Sequence, residues 1–317
     1  MKRNLLISSL LFIFSISLCA QAAQVRVGIL NGPTCVPAAY MIDKNTAFTF
    51  EQFADPQALL PKMIKKEIDI GFMPVNVAAK VYSAGNKAII CCAVTGLGNI
   101  KLITTDSTVK RFTDLKDKTI YVAGQGATPE YMFRFLLEEN KLDWSEGGNV
   151  ILDYSIPTAQ LAAQMISGKI EYAVLPEPFV TIAQLKSDQI SAPLDFQKEY
   201  IEITGEKNIY PLSVMVVRKD FAKENKELLE TFLSEYEKSV EWTISNPEEA
   251  GKLSEKNGLG LGAVVVSKAI PVSNYTFIPA KKAVSQIEAL LNIFLNCDKN
   301  SIGGKLPVKD FYYSNNE

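Results

Sequence analysis

The chain has 317 residues, and its 33 basic side chains nearly balance 35 acidic ones. That length suits two domains of ordinary size, and a net charge of −2 without a basic run excludes nucleic acid as a partner. There is no histidine, which removes Ser-His-Asp and Cys-His catalytic groups; with no Cys-x-x-Cys spacing either, no metal site, cofactor or catalytic residue is expected.

Lys2 and Arg3 precede an apolar stretch, Leu5 to Leu18, that is too short to span a bilayer. Ala20-Gln21-Ala22 then fits a small-x-small cleavage site, so residues 1–22 are predicted to be a signal peptide. The mature protein is expected to be periplasmic or otherwise extracytoplasmic. Cys19 leaves a lipid anchor open, although Leu18 before it is bulky where such a motif wants a small residue. Export permits disulfides, yet Cys35, Cys91, Cys92 and Cys297 read better as small hydrophobes than as a disulfide framework.

The first lobe opens on a strand, Val25 to Leu30, and the turn Asn31-Gly32-Pro33-Thr34. A helix from about Cys35 to Asp43, a strand from Phe48 to Phe53 and a helix from Pro56 to Lys66 follow. The run Ile68-Asp69-Ile70-Gly71-Phe72-Met73-Pro74-Val75-Asn76 delivers a strand into a helix, Val77 to Ala84, with Gly85-Asn86 as its cap. The strand from Ala88 to Val94 then reaches Thr95, and Ile100 to Thr105 leads out of the lobe. This alternation predicts an α/β fold with mostly parallel sheets covered by helices, whose ligands bind beyond the carboxyl ends of the strands.

The second lobe repeats the plan. Thr119 to Ala123 reads as a strand, Gly124 and Gly126 bend the chain, and Thr128 is placed to cap a helix beginning at Pro129, with Met132, Phe133, Leu136 and Leu137 on its buried side. Gln125-Gly126-Ala127-Thr128 echoes Asn31-Gly32-Pro33-Thr34. Leu161, Met165, Ile166, Ile170, Glu171 and Pro176 likewise repeat the spacing of Leu59, Met63, Ile64, Ile68, Asp69 and Pro74. Further strands and a helix are predicted at Val150 to Tyr154, Pro157 to Ser167 and Tyr172 to Leu175, the last delivering Glu177, a carboxylate able to accept hydrogen bonds from a ligand.

Leu212 to Arg218 reads as a strand that returns to the first lobe, making that lobe discontinuous: 24–104 plus 212–317, against 105–211 for the second. Helices are predicted at Asn225 to Asn246, Pro247 to Asn257, Val264 to Ile270 and Ala283 to Leu295, with Tyr236 and Trp242 packed inside. The aromatic tail from Leu306 to Tyr313 is expected to dock against a lobe.

Gly32-Pro33-Thr34, Ile68 to Asn76, Gly124 to Tyr131, Leu175-Pro176-Glu177-Pro178-Phe179-Val180 and Asp310-Phe311-Tyr312-Tyr313 together resemble the solute-binding proteins of ABC importers, in the group that includes nitrate, sulfonate, taurine and thiamine-precursor binders. The resemblance implies a type II periplasmic-binding fold: two lobes, two crossover strands, closure of a hinge on a small ligand, and delivery to an ABC permease. It also implies that the cleft loops hold the ligand-binding residues Asn31, Gly32, Pro33, Thr34, Asn76, Thr95, Gln125, Gly126, Ala127, Thr128 and Glu177. None of these is cationic, and Glu130 and Glu177 oppose an anion, so a neutral, zwitterionic or heterocyclic ligand is expected. Phe72, Tyr131 and Phe179 are candidates to stack on a ring. A monomer suits a protein that opens and closes. A module serving a membrane sensor, or an exported enzyme on the same fold, stays open as an alternative.

Overall fold

The computed structural model describes residues 24–32, 34–44, 47–84, 87–205 and 210–315. The predicted signal peptide with Cys19, the candidate Pro33 and the cap at Gly85-Asn86 lie outside them. The chain first lays down β1 (Val25–Leu30), α1 (Ala39–Lys44), β2 (Phe48–Phe53), α2 (Pro56–Ile64), β3 (Ile70–Pro74), α3 (Val75–Ala84) and β4 (Ile89–Leu97). It continues through β5 (Ile100–Thr104), β6 (Lys118–Val122), α4 (Thr128–Glu139), β7 (Val150–Asp153), α5 (Thr158–Ile166), β8 (Tyr172–Pro176), α6 (Phe179–Lys186), β9 (Ser191–Asp195) and α7 (Phe196–Thr204). Last come β10 (Pro211–Arg218), α8 (Lys219–Glu224), α9 (Lys226–Ser245), α10 (Pro247–Lys256), α11 (Ala263–Ala269), β11 (Tyr275–Pro279) and α12 (Val284–Cys297).

The strands form two sheets, one ordered β11-β4-β10-β3-β1-β2 and the other β7-β6-β8-β5-β9. Within them β1 pairs in parallel with β2 and β3, and β6 with β7 and β8. Each sheet is interrupted by a strand running the other way, β10 between β3 and β4, and β5 between β8 and β9. The parallel character read from the βα alternation therefore holds for the βα units, while the returning strands enter antiparallel. β5, read from sequence as the end of the first lobe, hydrogen-bonds into the second sheet, Ile100 opposite Pro176 and Thr104 opposite Tyr172. The two crossings run side by side: the Gly98 amide donates to the Tyr210 carbonyl at 2.9 Å. A Cβ on Gly98 would sit 2.5 Å from the Tyr210 ring, so only glycine admits this approach.

The internal echo is structural. α2 and α5, and β3 and β8, stand at the same offset of 102 residues (158 − 56 and 172 − 70). Their shared apolar positions do the same work: Leu59 and Met63, and Leu161 and Met165, are all buried. The echo breaks at the acidic position. Glu171 is exposed, whereas Asp69 is buried at 1% exposure and joins three strands. Its carboxylate accepts from the Arg26 amide at 3.0 Å and from the Arg26 guanidinium at 2.9 and 2.7 Å, and lies 3.1 Å from Nη2 of Arg218.

On α4 the predicted buried side chains Met132, Phe133, Leu136 and Leu137 are fully enclosed. The four later cysteines are free, three of them buried, and burial pushes the Cys35 and Cys91 thiols up to about 12. The tail docks as expected, with Phe311 enclosed and the Tyr313 amide donating to the Cys91 carbonyl at 2.8 Å. Asp310 anchors it. The Tyr82 hydroxyl, with Lys219 at 3.0 Å and Lys87 at 3.4 Å, holds that carboxyl below the ordinary aspartate value. Asp106 is depressed in the same way, first by the Thr108 hydroxyl and then by Tyr172. For a carboxyl depressed on folding, the stabilisation is complete above the unfolded pKa of about 4 and is lost as pH falls through the folded value. Thermal melts are therefore expected to show a falling midpoint below about pH 4, and Asp310→Asn is expected to make that fall shallower. An Asp310→Asn profile parallel to that of the unmodified protein would remove Asp310 from the acid transition.

Candidate functional site

A cavity of about 250 Å³ opens where the carboxyl ends of the βα strands of both sheets meet. The first sheet contributes Leu30, Asn31 and Thr34 after β1, Pro74 at the end of β3, Thr95 and Gly96 on β4, and Ser213 on β10. The second contributes Ala123, Gly124, Ala127 and Thr128 after β6, and Pro176 at the end of β8. Thr158, at the start of α5, completes that side. This placement follows from parallel βα units, whose loops gather at one edge of each sheet.

Of the residues implicated by sequence, Asn31, Thr34, Thr95, Ala127 and Thr128 line the cavity. Gly32, Gln125, Gly126, Asn76 and Glu177 do not. Gly32 accepts from the Cys35 thiol through its carbonyl at 2.9 Å, and Gln125 is exposed. Asn76 is buried at 1% and donates from Nδ2 to the Gly126 carbonyl at 3.0 Å, which ties α3 directly to the glycine turn of the other sheet. Glu177 is equally buried, and its carboxylate is engaged by Lys101 at 3.2 Å, the Thr181 amide at 3.0 Å and the Thr181 hydroxyl at 2.7 Å.

The turn around α4 differs from its sequence reading. Thr128 is the first helical residue and Ala127 occupies the N-cap without a side-chain bond. One position inside the helix, the Thr128 hydroxyl no longer caps; it is buried without a partner. Gly124 and Gly126 do take left-handed conformations, φ +67° and +76°. The Gly126 amide donates to Glu130 Oε2 at 2.5 Å, and the Gly124 amide donates to the Thr158 hydroxyl at 3.1 Å. Glu130 is itself buried and paired with Arg134 at 2.5 Å, and Arg134 lies over the Trp144 ring at 4.1 Å.

The aromatic candidates Phe72, Tyr131 and Phe179 are outside the lining. Phe72 packs on Tyr236 at 5.2 Å and Tyr131 on Phe294 at 5.3 Å, while Phe179 packs against the apolar cluster of the second sheet. The aromatic walls are instead Tyr236 on α9 and Tyr275 on β11. Tyr236 follows Leu229, Phe232 and Leu233 at helical spacing, a pattern of core packing, and its ring is indeed fully buried. Its hydroxyl has no partner among the described residues, and burial raises its ionisation well above the ordinary tyrosine value. Asn99 and Ser273 also line the cavity and are joined, Asn99 Nδ2 to the Ser273 carbonyl, at 3.0 Å. Among the described residues the lining holds no lysine or arginine, and Asp55 is its one charged side chain. No group of metal-ligating side chains occurs among them either.

Residues 94–250 match the family described as NMT1/THI5 like. No curated protein matches it in sequence. Among solved structures it is similar to an ABC transporter protein of Parabacteroides distasonis, with 22% identity and a TM-score of 0.77 over 92% of this chain and 99% of that one. It is also similar to the periplasmic aliphatic sulphonate binding protein SsuA of Escherichia coli, with 17% identity and a TM-score of 0.69 over 90% and 92% of the two chains. A third similar structure is the periplasmic nitrate-binding protein NrtA of Synechocystis PCC 6803, with 12% identity and a TM-score of 0.64 over 91% and 86%. These likenesses establish the type II periplasmic-binding fold for the chain. Among the described residues no helix is long and apolar enough to cross a membrane.

Proposed function

We propose that this protein is the extracytoplasmic solute-binding component of an ABC importer. It captures a small organic solute, neutral, zwitterionic or heterocyclic, between its two lobes and presents the closed form to a permease. The observation that carries this reading is the cavity walled by loops of both sheets, because a ligand touching both walls favours the closed arrangement by its differential affinity. We assign the lobes to the two sheets, 24–99 with 210–315 and 100–205, linked by the paired crossings at Gly98 and Tyr210. Asn31, Thr34 and Thr95 contact the solute from one lobe and Ala127 and Thr128 from the other; Gly32, Gln125 and Gly126 shape the turns that present them. Asn76 acts across the cleft through the Gly126 carbonyl, and Glu177 acts by positioning. The predicted signal peptide supports an extracytoplasmic site of action, and the absence of histidine supports binding without catalysis.

A thermal-shift panel of amino acids, nucleobases, vitamin precursors, sulfonates, nitrate and aromatic amides tests this directly. A solute at about a hundred times its Kd stabilises the fold by about 2.7 kcal/mol. One responding chemical class is expected, and the double variant Thr34→Ala, Thr128→Ala is expected to weaken that response by about tenfold in affinity or more. A folded protein that no solute stabilises would overturn the reading.

A further inference from the structure

We propose that the cleft selects an uncharged ligand: a compact molecule with an apolar body that supplies at least one N–H or O–H donor and at least one acceptor. This rests on the solute-binding reading above and narrows it. Three residues that line the cavity each carry a buried polar atom with no partner among the described residues: Asn99 Oδ1, Thr128 Oγ1 and the Tyr236 hydroxyl. Their residues are 5%, 0% and 0% exposed. A buried polar group left unpaired is costly, so three gathered around one cavity mark where a ligand completes the hydrogen bonding.

Their chemistry dictates what that ligand carries. Asn99 Nδ2 is committed to the Ser273 carbonyl at 3.0 Å, which orients the amide and leaves Oδ1 facing a partner that must donate. The Tyr236 hydroxyl has a proton to give, so it calls for an acceptor. Thr128 serves either role. A bare anion has no proton for Asn99.

The donors that an anion would need are already occupied. The Gly126 amide is held by Glu130 and the Gly124 amide by Thr158. Glu130, held by Arg134 at 2.5 Å, keeps its other carboxylate oxygen on the Gly126 amide, so that helix-start donor is spent inside the protein. Among the described residues the lining has no lysine or arginine to attract an anion. A cationic head fares no better, because Asp55 is exposed at the mouth and already accepts from the Ala58 amide at 2.9 Å, and an exposed charge contributes little. The volume, about 250 Å³, is just below the common range of roughly 300–1,000 Å³ for ligand pockets and fits a compact ligand.

Four ring-matched probes separate the possibilities: benzamide, which is uncharged with donor and acceptor; N,N-dimethylbenzamide, which lacks the donor; benzoate; and benzylammonium. With the purified protein at millimolar probe, benzamide is expected to raise the melting temperature and the other three to leave it unchanged. Tyr236→Phe and Thr128→Val keep the packing and remove one hydroxyl each. Each is expected to weaken benzamide binding about tenfold, while the ligand-free melting temperature stays level or rises because a buried orphan hydroxyl has gone. An equal response to benzoate, benzylammonium or the dimethylated amide would overturn the inference. So would silence from benzamide while an anion of the wider panel responds, or variants that lose ligand-free stability with unchanged affinity. Those outcomes leave solute binding intact; silence across the whole panel would instead remove the binding reading, and this inference with it.

Discussion

Asp69→Ala is expected to lower the stability of the fold by about 3–5 kcal/mol, the usual cost of removing one partner from a buried ion pair. The carboxylate bonds the backbone amide and guanidinium of Arg26 on β1, lies against Arg218 at the end of β10, and precedes β3 by one residue. It thus pins together the three neighbouring strands at the centre of the larger sheet. Without it Arg26, whose side chain is 43% exposed, turns to water, while Arg218, only 8% exposed, keeps Asp220 alone, 3.7 Å from its Nε, and already has an Nη1 without a partner among the described residues. The melting temperature is expected to fall by on the order of 10 °C. Asp69→Asn keeps the shape and one acceptor oxygen and is expected to lie between the two; an unchanged midpoint for Asp69→Ala would show that the cluster contributes nothing net.

The second large effect is expected at Glu177. Its carboxylate is 1% exposed and accepts three hydrogen bonds, one from Lys101 on β5 and two from Thr181 in the first turn of α6. Removing it strands a mostly buried ammonium, whose side chain is 17% exposed, and uncaps α6 at a stroke. Glu177→Ala is expected to cost about 2–4 kcal/mol, the sum of an unpaired buried charge and a lost helix-start acceptor. Because the carboxylate is turned to β5 and α6 while the neighbouring Pro176 lines the cavity, affinity measured on the folded fraction is expected to change by no more than about twofold, well under the tenfold that 1.4 kcal/mol represents. A tenfold loss of affinity in a variant of undiminished stability would restore Glu177 as a ligand contact.

These two acidic residues show what could be read from the chain and what could not. Asp69 and Glu171 occupy matching places in the repeated units, and the repeat itself is legible because apolar spacing is a local property: Leu59 and Leu161, or Met63 and Met165, face a sheet wherever the helix lies. The partner of a carboxylate is not local. Asp69 is served by Arg26 and by Arg218, the residue after Val217, which pairs with Ile70; Glu171 has β5 beside it in the same antiparallel sense, but the residue after Thr104, which pairs with Tyr172, is Thr105 and not an arginine, and Glu171 stays exposed. In the same way Thr128 and Thr34 were legible as residues of the cavity lining because each follows a strand and a turn. Tyr236 was not, since its ring obeys the helical rhythm of the core and only the hydroxyl departs from it.

The sequence by itself determined the α/β alternation, the two repeated units, the return of the chain at β10 and the cluster of polar loops that meets at the cavity, because strand, turn and helix preferences act over a few residues. Tertiary structure decided which sheet receives β5, which carboxylates are spent on internal partners, and which polar atoms are left facing the cleft. Those outcomes depend on groups far apart in the chain, Glu177 with Lys101 and Asn99 with Ser273, brought within hydrogen-bond reach only when both sheets are packed.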